Sequence, residues 1–383
     1  MTGDTAERTC PVKFRSERDA LIDMLATAGR AVGARATSSP VLSGLLLSCT
    51  GNVLSVTGTD LDLTIQVTEE VIGVEDGTCV VPARLSTDIV RRLEPGAVTF
   101  ANDDDHITIS AARSNFKLRT YPVVEFPAVG KTSEATTHLP EAALGEAVRQ
   151  VVRAASHDDA RPLLTGVLLS RVNGSIRMVA TDSYRMAMRD LPGISALPGE
   201  DDLLVPARAL AELQRLPSRH AGGEADESHV GVAASSSEIT FWQGNVQIST
   251  RLLEGRYPDY NQLIPDHYPN RLHLGKESFL AALRRVQLLV RDNTTPVRLS
   301  MRQGGVDLTV VSQEVGDASE SVDGDFTGED LVIAFNPSYL IDGTEAVQGD
   351  EVILESADAS RAATVRGADD DHFRYLLMPV RVS

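Results

Sequence analysis

Apolar residues along this chain follow two alternating periodicities, and the same succession recurs three times. Apolar side chains at i, i+3, i+4 and i+7, as in Leu280, Leu283 and Val286, predict amphipathic helices. Three such segments are SERDALIDMLATAGRAV from Ser16, PEAALGEAVRQVV from Pro140 and KESFLAALRRVQLLV from Lys276. In the stretches that follow, alternate residues such as Leu54 and Val56 are apolar, which predicts half-buried strands.

The order of these patterns is an internal repeat. GLLLSCTGNVLSVTGTD from Gly44 aligns without a gap with GVLLSRVNGSIRMVATD from Gly166, at an offset of 122 residues. A weaker third copy, VRLSMRQGGVDLTVVSQ from Val297, follows at an offset of 130, which Val205 and Phe335 keep in the next segment. An offset held across separate segments indicates repeated structural units.

We therefore predict an α+β fold of three similar domains in tandem. Each domain has a helix, alternating strands, a second helix after a VPAR-like segment, and further strands. The predicted domains are residues 1–130, 131–265 and 266–383, each of ordinary domain size, and residues 1–11 are a loose extension. Ser16, followed by the acidic Asp19, is the expected N-cap of the first helix.

Charge narrows the class of function. The net charge of −18 argues against a protein that coats nucleic acid with a wholly basic surface. Six predicted helical windows contain 15 Lys or Arg and 11 Asp or Glu, whereas the whole chain contains 36 and 54. These windows are residues 16–35, 84–96, 141–153, 208–219, 276–291 and 337–347. Helices that are less acidic than the rest of the chain suit a surface that contacts the phosphates of a nucleic acid without base-specific recognition. The high helix propensity of arginine also explains this pattern.

The cysteines and the apolar runs indicate a cytoplasmic protein. Cys10, Cys49 and Cys79 have no metal-binding or redox spacing, as expected in a reducing compartment. The first residues lack the apolar run of a signal peptide. No apolar run reaches the roughly 18 residues that a membrane span needs.

An enzyme is the rival interpretation. The acidic runs NDDDH at 102–106 and ADDDH at 368–372 contain residue types that bind hard metals, but adjacent residues of a strand point to opposite faces, so acidic loops are the better account. The chain has no HExxH, GxSxG, GxGxxG or phosphate-binding GxxxxGK[ST] motif. We expect no catalytic residue, no metal and no cofactor.

Several motifs together resemble one family. RPLLTGVLL, VATDSYRMA, EGRYPDYNQLIP and the terminal LLMPVRV are similar to segments of the bacterial DNA polymerase III beta subunit, the sliding clamp. VTGTDLDLTI, VPAR and SNFKLRTYPVVEFP in the first domain match as well. The resemblance extends in order from Val12 to Val382.

The resemblance implies a fold and a non-catalytic function. Members form a head-to-tail homodimeric ring of six similar domains, whose twelve helices face a hole that holds double-stranded DNA. They tether the DNA polymerase III core, the clamp loader and other clamp-binding proteins through an apolar groove, and so confer processivity in DNA replication.

Matching positions give three sets of expected site residues. The partner-peptide groove is expected at Leu164, Thr181, Ser183, Tyr184, Arg185, Met186, Pro258, Leu263, Leu376, Met378, Pro379, Val380 and Arg381. The expected DNA-binding residues are Arg35, Arg84, Arg113, Arg161 and Arg208, with Lys117 and Arg119 nearby. The expected dimer interface includes Phe116, Leu288 and Leu289. In the groove, Arg185 and Arg381 are expected to orient backbone carbonyls or an acidic flank of the bound peptide.

This chain departs from the family pattern at the groove. It has Ser183-Tyr184-Arg185-Met186 where many members have Gly-His-Arg-Leu, and Gln262 where many have arginine. Pro162 and Leu163 replace tyrosines that contact DNA in some members. Three interpretations stay open: a clamp of a divergent lineage, a duplicated clamp with altered partner or inhibitor sensitivity, and a protein-binding scaffold that no longer loads on DNA.

Overall fold

The computed structural model describes most of the chain, in two compact units. The described residues are 11–33, 39–103, 105–128, 134–195, 197–199, 201–217, 228–265, 267–291 and 295–381. Unit 1 consists of Met1–His138 and Arg215–Arg251, and unit 2 of Leu139–Gln214 and Leu252–Ser383. Apart from Pro11, the expected loose extension lies outside the described residues.

In its described residues, the first repeat contains two α-helices and nine strands. Its helices are α1 (Arg18–Gly29) and α2 (Ala83–Arg92). Its strands are β1 (Lys13–Glu17), β2 (Gly44–Thr50), β3 (Val53–Thr59), β4 (Leu63–Glu70), β5 (Ile72–Glu75), β6 (Gly77–Pro82), β7 (Ala97–Asp103), β8 (His106–Ala111) and β9 (Ser114–Arg119).

The second repeat has the same order, although its described residues include no counterpart of β5. Its helices are α3 (Glu141–Val151) and α4 (Ala207–Gln214). Its strands are β10 (Thr137–Pro140), β11 (Gly166–Val172), β12 (Ser175–Thr181), β13 (Arg185–Leu191), β14 (Leu203–Pro206), β15 (His229–Ala234), β16 (Glu238–Gln243) and β17 (Val246–Arg251).

The third repeat keeps this order. Its helices are α5 (Lys276–Gln287) and α6 (Pro337–Ala346). Its strands are β18 (Asn270–Gly275), β19 (Val297–Arg302), β20 (Gly305–Ser312), β21 (Gly316–Thr327), β22 (Leu331–Phe335), β23 (Glu351–Ser356), β24 (Ala363–Gly367) and β25 (Phe373–Leu377). The predicted α+β repeat is therefore confirmed, element by element.

The strands form three sheets. In unit 1, one sheet has the order β5-β1-β7-β8-β9, and an eight-stranded sheet has the order β10-β15-β16-β17-β4-β3-β2-β6. In unit 2, a twelve-stranded sheet has the order β14-β11-β12-β13-β25-β24-β23-β18-β21-β20-β19-β22. Two pairings recur. The last strand of the second repeat, β17, pairs with β4 of the first, and the last strand of the third, β25, pairs with β13 of the second.

Each helix lays an apolar face on the sheets, as the periodicity predicts. In unit 1, Leu21 and Leu25 of α1 are fully buried, and Phe14 stacks on Phe100 with ring centroids 5.2 Å apart. In unit 2, Leu283 and Val286 of α5 are fully buried. No helix in the described ranges has the length and apolar character of a membrane span.

One local prediction is wrong. Ser16 lies inside β1, and the residue that precedes α1 is Glu17, which makes no side-chain capping hydrogen bond. The reason is that β1 pairs with β7 as far as Glu17 opposite Ala97, so the strand runs directly into the helix. The backbone N–H of Arg18, at the start of the helix, donates to the carbonyl of Gly96 at 2.9 Å.

Candidate functional site

An apolar groove in unit 2 begins where β13 pairs with β25. Met186 lies opposite Leu376, and alternation along β13 places Met188 on the same face. These side chains pack with buried residues from neighbouring strands and from the segment that follows β17. The groove floor consists of Leu168, Val179, Met186, Met188, Leu204, Tyr257, Tyr260, Ala362 and Leu376.

The rim of the groove leaves large apolar side chains open to solvent. Leu163, Leu253 and Ile264 pack against the floor and are partly buried. Leu263 is 47% exposed and Met378 is 45% exposed. Buried apolar residues that continue into exposed ones are typical of a surface that binds another molecule.

A pocket of about 640 Å³ adjoins this rim. Ala362 belongs to both the floor and the pocket, and Leu263 and Met378 stand at its edge. The pocket is lined by Gln262, Leu263, Ile264, Pro265, His267, Pro269, Ala357, Asp358, Arg361, Ala362 and Met378. The groove and the pocket together are large enough for several side chains of an extended peptide.

A tight turn over residues 181–185, the groove turn, joins β12 to β13. The Asp182 carboxylate accepts hydrogen bonds from the backbone N–H groups of Tyr184 at 2.9 Å and Arg185 at 3.0 Å. The Thr181 hydroxyl donates to the Arg185 carbonyl at 2.7 Å and accepts from the Ser183 N–H at 3.1 Å. Ser183 has a φ of 81°, which an L-residue adopts only at a cost. These bonds hold Tyr184, 60% exposed, at the groove's edge.

Arg185 lies behind the groove rather than in it. Alternation on β13 turns its side chain to the face opposite Met186, where it is 9% exposed. Its guanidinium donates to Asp182 at 3.0 Å, to Asp342 of α6 at 2.5 Å and to the Tyr375 hydroxyl at 3.1 Å. The guanidinium also stacks on the Tyr339 ring, 4.3 Å from its centroid.

This network fixes the charge state of Arg185 and corrects one expectation. Burial alone would lower the pKa of Arg185, but Tyr375, Asp342 and Asp182 raise it above its usual value. Because these partners hold the guanidinium on the face opposite Met186, the structure does not place Arg185 where it was expected to orient the carbonyls of a bound peptide. Arg185 ties β13 to α6 and β25 and so positions the groove turn.

The remaining predicted groove residues differ in their exposure to solvent. Leu164 and Thr181 are buried, Ser183, Pro258 and Arg381 are exposed, and Pro379 and Val380 are half-buried. The backbone N–H of Met378 donates to the Tyr184 carbonyl at 2.9 Å. This bond fixes the residue that follows β25 against the groove turn.

Sequence reasoning missed seven of the nine floor residues and predicted only Met186 and Leu376. Met188, two residues after Met186, was available from strand alternation, and Tyr257 and Tyr260 stand inside the quoted segment EGRYPDYNQLIP. Val179 and Ala362 had no signal of their own, because only the pairing of distant strands brings them to the floor. Leu163, considered only as a replaced DNA contact, packs against this floor.

The predicted DNA-binding residues divide between the two units. Arg35 lies outside the described residues. In unit 1, Arg84 on α2 has a 96% exposed side chain, and Arg113 is exposed. In unit 2, Arg208 is exposed, whereas Arg161 pairs with Asp158 at 3.0 Å and donates to the Ser183 hydroxyl at 3.2 Å.

Much of the basic charge on the helices of unit 2 is already paired. Glu345 of α6 accepts from Arg153 at 2.6 Å and from Arg284 of α5 at 2.7 Å. Arg285 forms a forked ion pair with Glu320 of β21, at 2.7 and 2.8 Å. These pairs lower the positive potential that the helices present, and they connect α5, α6 and β21.

The predicted dimer residues lie at surface positions. Phe116 on β9, at the edge of its sheet, is 40% exposed. Leu288, which follows α5, is 79% exposed, and Leu289 is half-buried.

The acidic runs do not assemble a metal site in the described part of the chain. Asp104 of the first run lies outside it. In the second run, Asp370 pairs with Arg189, and the exposed Asp371 faces Arg366 at 3.8 Å. The described residues contain no group of three or more His, Cys, Asp or Glu placed to hold a metal ion.

Comparison with known proteins identifies the three repeats. Residues 12–130, 138–259 and 261–381 match the N-terminal, central and C-terminal domain models of the DNA polymerase III beta subunit. The beta sliding clamp of Streptomyces coelicolor is 35% identical over 97% of this chain and 100% of its own length. That of Vibrio cholerae is 32% identical over 97% and 100%.

A solved structure has the same fold over nearly the whole chain. The DnaN sliding clamp of Bartonella birtlesii, bound to griselimycin, superposes with a TM-score of 0.90 at 28% identity and covers 97% of this chain and 100% of its own. With all three domain models matched in order, the chain belongs to the DNA polymerase III beta subunit family, the bacterial DNA sliding clamps.

Proposed function

We propose that two copies of this chain close head to tail into a ring around duplex DNA, and that each groove holds an apolar segment of a partner protein. The observation that carries the proposal is the methionine- and leucine-rich groove floor, open to solvent at Leu263 and Met378. In this role the chain is non-catalytic, works in the cytoplasm without a cofactor and binds the DNA polymerase III core, the clamp loader and other clamp-binding proteins.

The chemistry of the groove favours apolar ligands that vary in shape. Methionine side chains are flexible and polarizable, so Met186, Met188 and Met378 adapt to different partners. Each leucine-sized side chain buried on binding contributes about 1.5–3 kcal/mol. Two or three such anchors contribute about 3–9 kcal/mol before the loss of rotational and chain freedom is subtracted, so the backbone contacts of the peptide must add to its affinity.

The two recurring strand pairings suggest how the ring closes. Because β17 pairs with β4 and β25 with β13, the last strand of each repeat pairs with the third long strand of the preceding repeat. The corresponding strand of the first repeat, β9, lies at a sheet edge with one side open. Among the described residues, the first half of β21 pairs only with β20, so it too has an open side.

The repeat also gives the register of this seam. Ile65 faces Ile248, and Ala187 faces Tyr375. The strand pairings within each repeat show which positions are equivalent. Phe116 in the first repeat is equivalent to Ile248 in the second and Tyr375 in the third. Ala318 in the third repeat is equivalent to Ile65 in the first and Ala187 in the second. Phe116 of one copy therefore lies opposite Ala318 of the other.

The chemistry of the two edges fits this register. In the seam, Lys117 faces Asp317, which pairs opposite charges across the strands. Phe116 lies on the side of the sheet that α5 covers, where Leu288 and Leu289 are available to bury it.

The DNA contacts in this proposal are few. A ring holds duplex DNA by enclosure, so exposed guanidinium groups such as Arg84 need only follow phosphates loosely. Arg161 would first have to leave Asp158. A net charge of −18 and paired helix arginines suit sliding better than tight electrostatic binding.

The groove is tested with a fluorescein-labelled hexapeptide that contains two leucines and a phenylalanine. Met378→Asp places a carboxylate at the open rim, where an apolar peptide would remove its water, and we expect at least about tenfold weaker binding by fluorescence anisotropy. Griselimycin, bound in solved structures of relatives from Bartonella birtlesii and Pseudomonas aeruginosa, serves as a second probe.

The matched control is Val311→Asp, because Val311 is also an exposed apolar residue of unit 2 but lies on β20, which pairs with β19 and β21 and contributes no residue to the groove floor. This variant should bind both probes as the parent does. Equal affinity of the Met378→Asp variant and the parent for both probes would contradict the groove assignment.

A further inference from the structure

The groove turn has a second copy in unit 1, at the offset of 122 residues that relates the first two repeats. Leu61 takes the place of Ser183 and has a φ of 84° where Ser183 has 81°. The Asp60 carboxylate accepts from the N–H groups of Asp62 at 3.2 Å and Leu63 at 2.9 Å. The Thr59 hydroxyl donates to the Leu63 carbonyl at 3.2 Å. Each of these bonds has its counterpart in the groove turn.

The strand that flanks the turn is repeated in the same register. Thr250 of β17 lies opposite Leu63, as Leu377 of β25 lies opposite Arg185. The N–H of Arg251 donates to the Asp62 carbonyl at 3.1 Å, which matches the Met378 to Tyr184 bond of 2.9 Å. The backbone frame of the groove therefore occurs twice in the chain.

The side chains on the two frames differ in kind. Where the groove has Met186 opposite Leu376, the copy has Thr64 opposite Ser249. Arg251 replaces Met378 at the rim, and Asp62 replaces Tyr184 in the turn. The copy opens to a pocket of about 210 Å³ lined by Thr59, Leu61, Asp62, Thr64, Pro127, Ala128, Glu238, Gln247, Ser249, Thr250 and Arg251. We call this surface the polar copy.

We infer that the polar side chains of this second frame exclude apolar peptides from it, and this inference rests on the proposed function of the groove. The residues that carry the discrimination are Asp62, Thr64, Ser249 and Arg251.

The exclusion follows from solvation. The hydroxyls of Thr64 and Thr59 are 2.8 Å apart, and those of Ser249 and Thr240 are 2.9 Å apart. These hydroxyls gain no partner from a leucine or phenylalanine side chain, and the hydroxyl of Thr64, which is half-buried, would lose contact with water when such a side chain arrives.

The rim adds a charge penalty. Asp62 and Arg251 form an open ion pair at 3.9 Å, with side chains 78% and 69% exposed. A peptide laid across the frame would take both charges out of water without offering them a better partner. At the groove the corresponding positions hold Tyr184 and Met378, which gain from being covered.

The test converts the polar copy into a groove with the four substitutions Asp62→Tyr, Thr64→Met, Ser249→Leu and Arg251→Met. Isothermal titration with the labelled hexapeptide should give one peptide per chain for the parent and two for the variant. A stoichiometry of one for the variant, with an unchanged circular dichroism spectrum, would overturn the inference, and so would a parent that binds two. A parent that binds none would instead refute the proposed function, and the inference with it.

Because Ser249 is buried, a second variant guards against misfolding. Tyr184→Asp with Met378→Arg changes only exposed side chains and gives the groove the rim of the polar copy. We expect at least about tenfold weaker peptide binding. Val124→Arg, at a 91% exposed site of unit 1, is the control for added charge and should bind as the parent does. Unchanged affinity of the double variant would show that these rim positions do not discriminate.

Discussion

Two residues with positive φ mark the same turn in two repeats. Ser183 and Leu61 carry Cβ atoms in a region of backbone space where glycine is at ease. The aspartate and threonine side chains beside them form several hydrogen bonds to the backbone of the turn, and these bonds keep it in its strained conformation.

Ser183→Gly should raise the free energy of unfolding by about 0.5–1 kcal/mol. The reason is that the strain energy relieved in the folded state exceeds the free energy that the more flexible glycine contributes to the unfolded chain. Urea unfolding followed by circular dichroism measures it, with Ser237→Gly as the control, since Ser237 is exposed and lacks a positive φ. The control should lose stability. A loss for Ser183→Gly as well would contradict the strain.

Arg185 is the residue on which the back of the groove depends. Asp182 and Asp342 both face its guanidinium, and Asp182 is itself buried. Removing one partner of a buried ion pair leaves the other charges unsatisfied, which costs more than the pair contributes.

Arg185→Ala should therefore lower the free energy of unfolding by about 3 kcal/mol or more. Arg381→Ala, which removes the other arginine expected at the groove, should change it by less than about 0.5 kcal/mol because Arg381 is exposed. Both are measured by urea unfolding. Similar small losses for the two variants would mean that the buried network contributes little.

Among the helices and strands, the sequence predicted the order in each repeat, but not which side chains of a strand lie on the same face of the sheet. The offsets of 122 and 130 correctly placed helix against helix and strand against strand, because periodicity reports which residues are buried. Arg185 and Met186 were both assigned to the groove, yet neighbours on a strand must point to opposite faces. Val179 and Ala362 show the other limit, since their contacts depend on which distant strands pair.

The proposed seam between β9 and β21 gives a prediction at this scale. Asn115→Cys with Ser319→Cys places thiols on facing residues of the two edges, within disulfide reach of about 4.4–6.8 Å between Cα atoms. Oxidation should link two chains, seen as a dimer on non-reducing gels. The background carries Cys10→Ser, because Cys49 and Cys79 are buried.

The control shifts the register by one residue. Asn115→Cys with Ala318→Cys points the two thiols to opposite faces of the sheet, so this variant should stay monomeric on the gel. Equal cross-linking of the two variants, or none in either, would contradict the proposed register.

In the assembled ring, DNA is retained by enclosure, whereas partner proteins are bound by the groove. A chain with 54 acidic and 36 basic residues, whose helix arginines are partly paired, is poorly suited to grip phosphates. A ring that encloses DNA does not need strong electrostatic contacts with phosphates. It can slide along the DNA while the groove binds partner proteins. Salt distinguishes the two modes, because electrostatic binding weakens steeply with salt and a closed ring does not.

The most direct test closes the ring around DNA without a loader. Asn115→Cys/Ser319→Cys chains are diluted to monomers, mixed with nicked circular plasmid, concentrated, oxidised and passed through a sizing column in high salt. We expect the linked protein to elute with the circular DNA and to be released when a restriction enzyme linearises it. Linked protein that never elutes with the circle, or that stays on linear DNA, would contradict the central claim.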